Sequence, residues 1–349
     1  MVTSAPMAYP PVSIVVPCRN EAPYIAACLD SILASEYPRE RLEILVADGE
    51  SSDGTREILS RYAERHPSLL VLDNPARSTP AGLNAAIRRA SGEVIIRMDA
   101  HVEYPPDYVP RLVQGLMESG ADNVGGILET APAENAARAR AIAIGLSHRF
   151  GVGNSYFRTG TRERREVDTV PFGCYRREIF DRIGFFDEEL VRNQDDELNF
   201  RLLRQGGRIL LLPDVRCRYF ARRSLGQVAR MYYQYGYFKP LVARKVGRVM
   251  TARQLIPGLL VATLAVTGTL SLWLPAARLA VGLVAGSYMA LVLTCSAAAA
   301  VTQGARCGTA LIAVFPTLHF SYGLGFLRGI YDHLLVRSAS PAREMGLSR

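Results

Sequence analysis

Two apolar runs constrain this chain more than anything else in its sequence. Leu255–Leu274 and Leu279–Val301 contain no Asp, Glu, Lys or Arg. At about 1.5 Å of rise per residue each makes roughly a bilayer thickness of helix. A soluble core rarely holds helices so long and so uniformly apolar, so both are read as membrane spans. Pro275 ends the first, and Pro275–Arg278 is too short for a domain, so the pair reads as a hairpin. A third apolar stretch, Thr309–Leu327, carries Pro316, His319 and several glycines. It is expected to be broken and to lie at, or re-enter, the interface, because irregular backbone at membrane depth survives only against protein or water.

Charge divides the chain too, some forty residues before the first apolar run. From Met1 to Asp214, 25 Lys and Arg face 31 Asp and Glu, a net of −6; from Val215 to Arg349, 16 face 2, a net of +14. The overall +8 is therefore an average of two unlike halves. Val215–Gln254 holds ten basic residues and no acid. Nucleic acid could account for a basic half, but apolar runs of this length favour a membrane surface, and no nucleic-acid partner is expected. The positive flank puts the N-terminal side of the first span in the cytoplasm. Val12–Val16 is too short for a signal segment, so the front half is expected to stay there. The six cysteines form no CxxC pair and read as free thiols.

The front half alternates. Val12–Val16, Leu42–Ala47, Leu69–Leu72 and Val94–Met98 read as buried strands. Helical spacing runs through Glu21–Ala34, Arg56–His66 (with Asp53 as N-cap) and Pro80–Ala90, where Gly92 follows as a stop. Val170–Tyr175 and Gly206–Leu212 read as further strands, and Glu129–Arg165 as helix plus a basic loop over Arg158–Arg165. The pattern predicts an α/β fold, a mostly parallel sheet with helices on both faces. Ligands of such sheets bind beyond the carboxyl ends of the strands, where Asp48 and Asp99 fall.

Four polar clusters follow strands or open helices. Pro17-Cys18-Arg19-Asn20-Glu21 lacks the glycines of a dinucleotide-binding turn, which argues against a dehydrogenase. Its residues also suit a helix start, with Asn20 as cap. Asp48–Thr55 can meet a nucleotide or simply make a polar turn, and no GK[ST] follows to form a P-loop. Asp99 and His101 at a strand end can both face one divalent cation whose remaining ligands are substrate phosphates. Two ligands cannot make a structural zinc site. Asn193–Leu202 opens a helix with Asp195, Asp196 and Glu197, which suits the helix dipole and also suits a carboxylate base aimed into a cleft.

Taken together, VSIVVPCRNE (Val12–Glu21), ILVADGESSDGT (Ile44–Thr55), Gly82–Asn84 before GEVIIRMDAH (Gly92–His101) and QDDELNFRL (Gln194–Leu202) resemble the family-2 glycosyltransferases, which have the GT-A fold. Order and spacing match over roughly Val12 to Arg230, and the chain looks most like exopolysaccharide glycosyltransferases of the succinoglycan-assembly type. The resemblance implies that Pro17, Asn20 and Glu21 border the uridine and that Asp48 meets the base. It implies Asp99 as the acid of a DxD-like metal motif, with His101 where the second acid usually stands, and Mg2+ or Mn2+ as cofactor. It carries the catalytic base onto Asp195, with Asp196 beside it among the substrate-binding residues. Gln227-Val228-Ala229-Arg230-Met231 is similar to a QxxRW element, with Met231 in place of Trp; Gln227 and Arg230 are the substrate-binding candidates there.

The expectation is thus an inverting, metal-dependent enzyme at the inner membrane. It moves a sugar from a nucleotide-sugar donor, UDP-linked as the resemblance implies, to a lipid-linked saccharide in exopolysaccharide or cell-surface glycan assembly. The alternatives are a polyprenyl-phosphate sugar synthase, whose acceptor is a bare lipid phosphate, and a non-enzymatic membrane subunit, against which the intact acids argue. The expected organisation is a catalytic domain over 1–214, a basic membrane-interface segment over 215–254, a membrane region over 255–331 and a basic tail over 332–349.

Overall fold

The computed structural model describes residues 9–248 and 251–336; the expected basic tail lies outside them from residue 337 on. The chain forms two compact units. The first runs to Glu129 and resumes over Gly160–Tyr219; the second takes Thr130–Thr159 and the chain from Phe220 onward.

In chain order the first unit holds β1 (Val12–Cys18), α1 (Ile25–Leu33), β2 (Leu42–Asp48), α2 (Thr55–Arg65), β3 (Leu69–Asp73), α3 (Thr79–Arg89), β4 (Val94–Arg97), β5 (Val102–Glu103), α4 (Tyr108–Ser119) and β6 (Asn123–Ala131). The chain then makes α5 (Ala137–Ser147), α6 (Arg149–Val152) and α7 (Tyr156–Thr159) of the second unit. It returns as β7 (Arg165–Glu166), β8 (Cys174–Arg176), α8 (Glu178–Ile183), α9 (Gln194–Arg204) and β9 (Ile209–Phe220).

The sheet order is β3-β2-β1-β4-β8-β6-β9-β5, with β7 paired to β9. β3, β2, β1 and β4 run parallel, in the registers Val12↔Leu42, Asp48↔Asp73 and Val12↔Val94. Their uninterrupted apolar runs are buried on both faces, as a helix-covered parallel sheet requires. Beyond β4 the pairs β4–β8, β6–β8, β5–β9 and β7–β9 are antiparallel, so the sheet is mixed. The chain order reverses direction at β1 and β4, and that switch point brings the ends of β1, β2 and β4 together.

Several boundaries differ from the sequence expectation for identifiable reasons. α1 starts at Ile25 rather than Glu21, because Asn20 takes φ +54° and Pro23 disfavours helix before it. The strand expected over Val170–Tyr175 shrinks to β8, because Phe172 leaves extended backbone at φ +51°. β9 runs on through the boundary expected at 214. Asp214, Arg216 and Arg218 alternate with buried Val215, Cys217 and Tyr219, so these arginines sit on the exposed face of the sheet, paired with Glu129 and Glu103. β6 was hidden by Gly125 and Gly126. A Cβ at Gly125 would press on Val170, and one at Gly126 on the Val215 carbonyl, so the glycines mark close approach inside a strand rather than a loop.

The second unit continues with α10 (Leu225–Val246), α11 (Ile256–Leu270), α12 (Pro275–Gln303) and α13 (Ala305–Ile330), which a π-helical turn over Tyr331–Leu335 extends. Among the described residues, three helical segments, Ala252–Leu270, Pro275–Gln303 and Ala305–Leu335, are long and apolar enough to cross a membrane. Leu259, Leu279 and Val301 stand exposed on the first two and Trp273 on the turn between them, an arrangement that lipid satisfies and water does not, so the chain associates with a membrane.

α13 is not broken at Pro316, which sits inside a continuous helix. Its glycines are packing residues. Gly323 faces Pro257 of the turn opening α11, while Gly325 and Gly329 face the carbonyls of Tyr233 and Tyr237 on α10. Gly236 of α10 returns the contact at Tyr322. Small residues let the two backbones approach as in membrane helix pairs. Val228 and Met231 of α10, Ile142 and Leu146 of α5, Val292 of α12 and Leu311, Val314 and Phe315 of α13 form the core of this unit.

Candidate active site

Two loops at the ends of β1 and β2 are stapled to each other. The Asn20 N–H donates to Ser51 Oγ (2.8 Å), and the Ser52 N–H donates to Asn20 Oδ1 (2.9 Å). The Glu21 N–H donates to Thr55 Oγ1 (2.8 Å) and the Ala22 N–H to Asp53 Oδ2 (3.1 Å). Asn20 is therefore not a helix cap. Its left-handed backbone turns its amide across to the β2 loop. Asp53 sits one residue before the N-cap Gly54 and holds the Thr55 N–H (3.1 Å). Burial opposes the charge on Asp53, but hydrogen bonds from Thr55 and Ala22 outweigh it and hold the carboxyl below its ordinary value.

Asp48 ends β2 with its side chain fully buried. Oδ1 accepts from the Ser51 hydroxyl (2.5 Å), while Oδ2 accepts from the Ser51 N–H (3.3 Å) and from Arg56 (3.2 Å). The carboxylate shapes the loop rather than facing outward. Pro17 lies within β1, half-buried, and Asn20 is exposed.

Asp99 follows β4 in a turn fixed by Tyr104. The Asp99 N–H donates to Tyr104 Oη (2.8 Å), and the same hydroxyl donates back to the Asp99 carbonyl (3.3 Å). His101 Nε2 stands 4.0 Å from Asp99 Oδ2, its Nδ1 stands 3.4 Å from Glu21 Oε1, and its ring lies 5.5 Å from that of Tyr219. Glu21, Asp99 and His101 thus converge.

α9 brings the second carboxylate. Asp195, Asp196 and Glu197 occupy its first turn, where the helix dipole favours negative charge. The three acids separate by partner. Glu197 makes a two-pronged ion pair with Arg201 (2.7 and 2.6 Å), which also donates to the Phe185 carbonyl (2.8 Å). Asp195 instead meets Arg97, Oδ2 to Nη1 at 3.2 Å, while Asp196 is half-buried. Burial pushes the Asp195 carboxyl up to about 6; Arg97 pulls it down, and Asp99 and Asp196 push it up.

Arg97 is the residue that reasoning from motifs passed over. It is 6% exposed, at the end of β4, and its other terminal nitrogen donates to Asp99 Oδ1 (2.8 Å). An arginine closing an otherwise apolar buried strand is costly unless paired, and that was the available signal. Asn84 was recognised as part of a motif, without a role. It is buried and holds the segment leading to α9, donating to the Phe186 carbonyl (2.9 Å) and to Glu188 (2.8 Å) and accepting from the Phe186 N–H (2.9 Å).

Gln227 and Arg230, the candidates of the QxxRW-like element, both belong to α10 in the second unit. Gln227 closes a capping box with Ser224, and Met231 is buried in the helical core, so two positions of the QxxRW-like element have structural employment. Arg230 is exposed.

Among the described residues no three His, Cys, Asp or Glu side chains are grouped to hold a metal alone. Asp99 and His101 offer one carboxylate and one imidazole. That set fits Mg2+ or Mn2+ when a ligand's phosphates complete the shell.

Residues 13–184 match the family model described as Glycosyl transferase family 2. The succinoglycan biosynthesis protein ExoA of Rhizobium meliloti (strain 1021) is 32% identical over 323 residues, 91% of this chain and 94% of that protein. The chain is a family 2 glycosyltransferase. A second relative of this glycosyltransferase, 27% identical over 67% of the chain and 74% of its own length, is the Methanococcus voltae enzyme named dolichyl N-acetyl-alpha-D-glucosaminyl phosphate 3-beta-D-2,3-diacetamido-2,3-dideoxy-beta-D-glucuronosyltransferase. Among solved structures, the mannosyltransferase PcManGT from Pyrobaculum calidifontis, in complex with GDP-Man and Mn2+, superposes with a TM-score of 0.60 at 23% identity, covering 94% of this chain and 89% of that one. The glycosyltransferase accordingly has the GT-A fold, followed by apolar helices that its sequence had led us to expect.

Proposed function

We propose that this glycosyltransferase inverts the anomeric centre as it moves a sugar from a nucleoside-diphosphate donor, UDP-linked, to a lipid-linked saccharide, on the cytoplasmic side of the inner membrane. The observation that carries the reading is the pair of carboxylates Asp99 and Asp195 held by one buried arginine at the switch point of the sheet. One acid lies in the turn after a parallel strand and the other opens a helix, so they serve different purposes.

Asp195 takes the proton of the acceptor hydroxyl as that oxygen attacks the anomeric carbon. The carbon–oxygen bond to the donor phosphate breaks on the opposite face, and the nucleoside diphosphate leaves. Asp99 and His101 would hold Mg2+ or Mn2+, which would supply the positive charge that makes the diphosphate a competent leaving group. The stapled loops carrying Asn20, Glu21 and Asp48 receive the nucleoside, with Asp48 acting through the Ser51 and Arg56 groups it binds. Pro17 sets the edge of that pocket, and Asp196 borders the sugar. Names of relatives support the acceptor class: one is assigned to succinoglycan biosynthesis and another to a dolichyl-phosphate-linked sugar.

The test is nucleotide release by membranes containing the protein. UDP-glucose, UDP-galactose, UDP-N-acetylglucosamine and GDP-mannose are each offered with a lipid-linked saccharide and, separately, with bare polyprenyl phosphate. Release that depends on the lipid-linked saccharide and on a UDP donor is expected. Release with the bare lipid phosphate alone would make the enzyme a polyprenyl-phosphate sugar synthase, and release only from GDP-mannose would overturn the donor assignment.

A further inference from the structure

We propose that Arg97 is a positioning residue that couples the placement of the Asp195 base to the state of Asp99. The inference rests on the roles proposed above for those two acids. Its basis is geometric. The two terminal nitrogens of one guanidinium are divided between the carboxylates, Nη2 to Asp99 at 2.8 Å and Nη1 to Asp195 at 3.2 Å. Nε is buried and makes no hydrogen bond among the described residues, so the whole anchoring capacity of the fork faces these acids. The guanidinium is backed by an aromatic ring, its carbon 5.1 Å from the centre of Phe172, and the backbone N–H of Arg97 donates to the Gly173 carbonyl (3.0 Å), which ties the two segments together. Phe172 reaches that place through a left-handed backbone at φ +51°, which a phenylalanine adopts only when its surroundings demand it.

The consequence is a competition for charge. Arg97 holds Asp99 through Oδ1, and Oδ2, the oxygen nearer His101, is the one a divalent cation would take. A cation there would draw on the same carboxylate charge that holds the guanidinium, so Arg97 would lean further on Asp195 once the donor is loaded. A lysine could not divide itself in this way, because its single nitrogen has no rigid fork.

The experiment compares the full chain in detergent as wild type, Arg97→Gln and Arg97→Lys. Binding of Mn2+ is read by its electron paramagnetic resonance signal in the presence of UDP and, separately, GDP. Turnover is read as kcat and donor KM, and thermal unfolding checks that each variant is folded. Arg97→Gln is expected to bind Mn2+ with nucleotide as tightly as wild type or more so, while kcat falls by about 10²-fold, the scale of losing an oriented base. Donor KM should change little, and Arg97→Lys should recover part of kcat. A merely structural role predicts loss of Mn2+ binding together with turnover, with Lys no better than Gln, and that result overturns the coupling. Wild-type kcat in Arg97→Gln overturns it too. If wild type binds Mn2+ with neither nucleotide, the proposed function itself falls, and this inference with it.

Discussion

Asp195 pays for its position: burial lifts its carboxyl to about 6 against the pull of Arg97. It is then ionised at neutral pH and protonated below, so kcat/KM is expected to fall with unit slope as pH drops through about 6 and to level off above it. The sign for stability is opposite. A raised carboxyl value means the folded state favours the proton, so this group's contribution is full below the ordinary carboxylate range and is lost as pH rises through about 6. Asp195→Asn should therefore lose about 10²-fold or more in kcat while unfolding at an equal or higher temperature than wild type at pH 7.5. A variant keeping wild-type turnover would remove Asp195 as base. At Asp99, substitution by Ala should abolish the response of activity to added Mn2+ or Mg2+, and a chelator should silence the wild type. Full activity in chelator would remove the cation from the reaction.

At the scale of elements, glycines decide the packing of α10 against α13. A side chain at Gly325 would collide with the Tyr233 carbonyl, and one at Gly236 with the Tyr322 carbonyl. Gly325→Val should lower stability by at least about 1–3 kcal/mol, as overpacking does, visible as a lower unfolding temperature in detergent. An unchanged temperature would mean the helices do not meet there. The same residues explain what the sequence left illegible. β1, β2 and β4 were readable because long apolar runs announce strands buried on both faces. β6 and the continuity of α13 were not, because glycine is written identically whether it ends an element or admits a neighbour's backbone. α4 was hidden by Pro105, Pro106 and Pro110, which look like interruption but stand before the helix and in its first turn. In the site, the acids were readable by type and spacing. Arg97 was not, because its meaning depends on Asp195, nearly a hundred residues away in the chain.

For the molecule as a whole, topology turns on α13. Its length permits a crossing. Its neighbours argue otherwise. α5 and α10, packed along it, carry Arg140, Gln234, Lys239 and Arg244, which a crossing would draw toward the hydrocarbon. We expect two true spans, with the end of α13 on the same side as the catalytic unit. Val336 is exposed, and a Val336→Cys variant lacking the native cysteines should resist an impermeant thiol reagent in intact cells. Labelling there would establish a third span.

The alternation of the chain between units also sets a schedule. α5 is made early, yet Ile142 and Leu146 are covered by Val314, Phe315 and their neighbours on α13, some 170 residues later. At roughly 5–20 residues per second, a ribosome needs about 10–30 s to supply that cover. For that interval the nascent protein displays an apolar helix with nowhere to dock. Its birth is therefore safest beside a bilayer or a chaperone that shelters the segment until the last helix arrives.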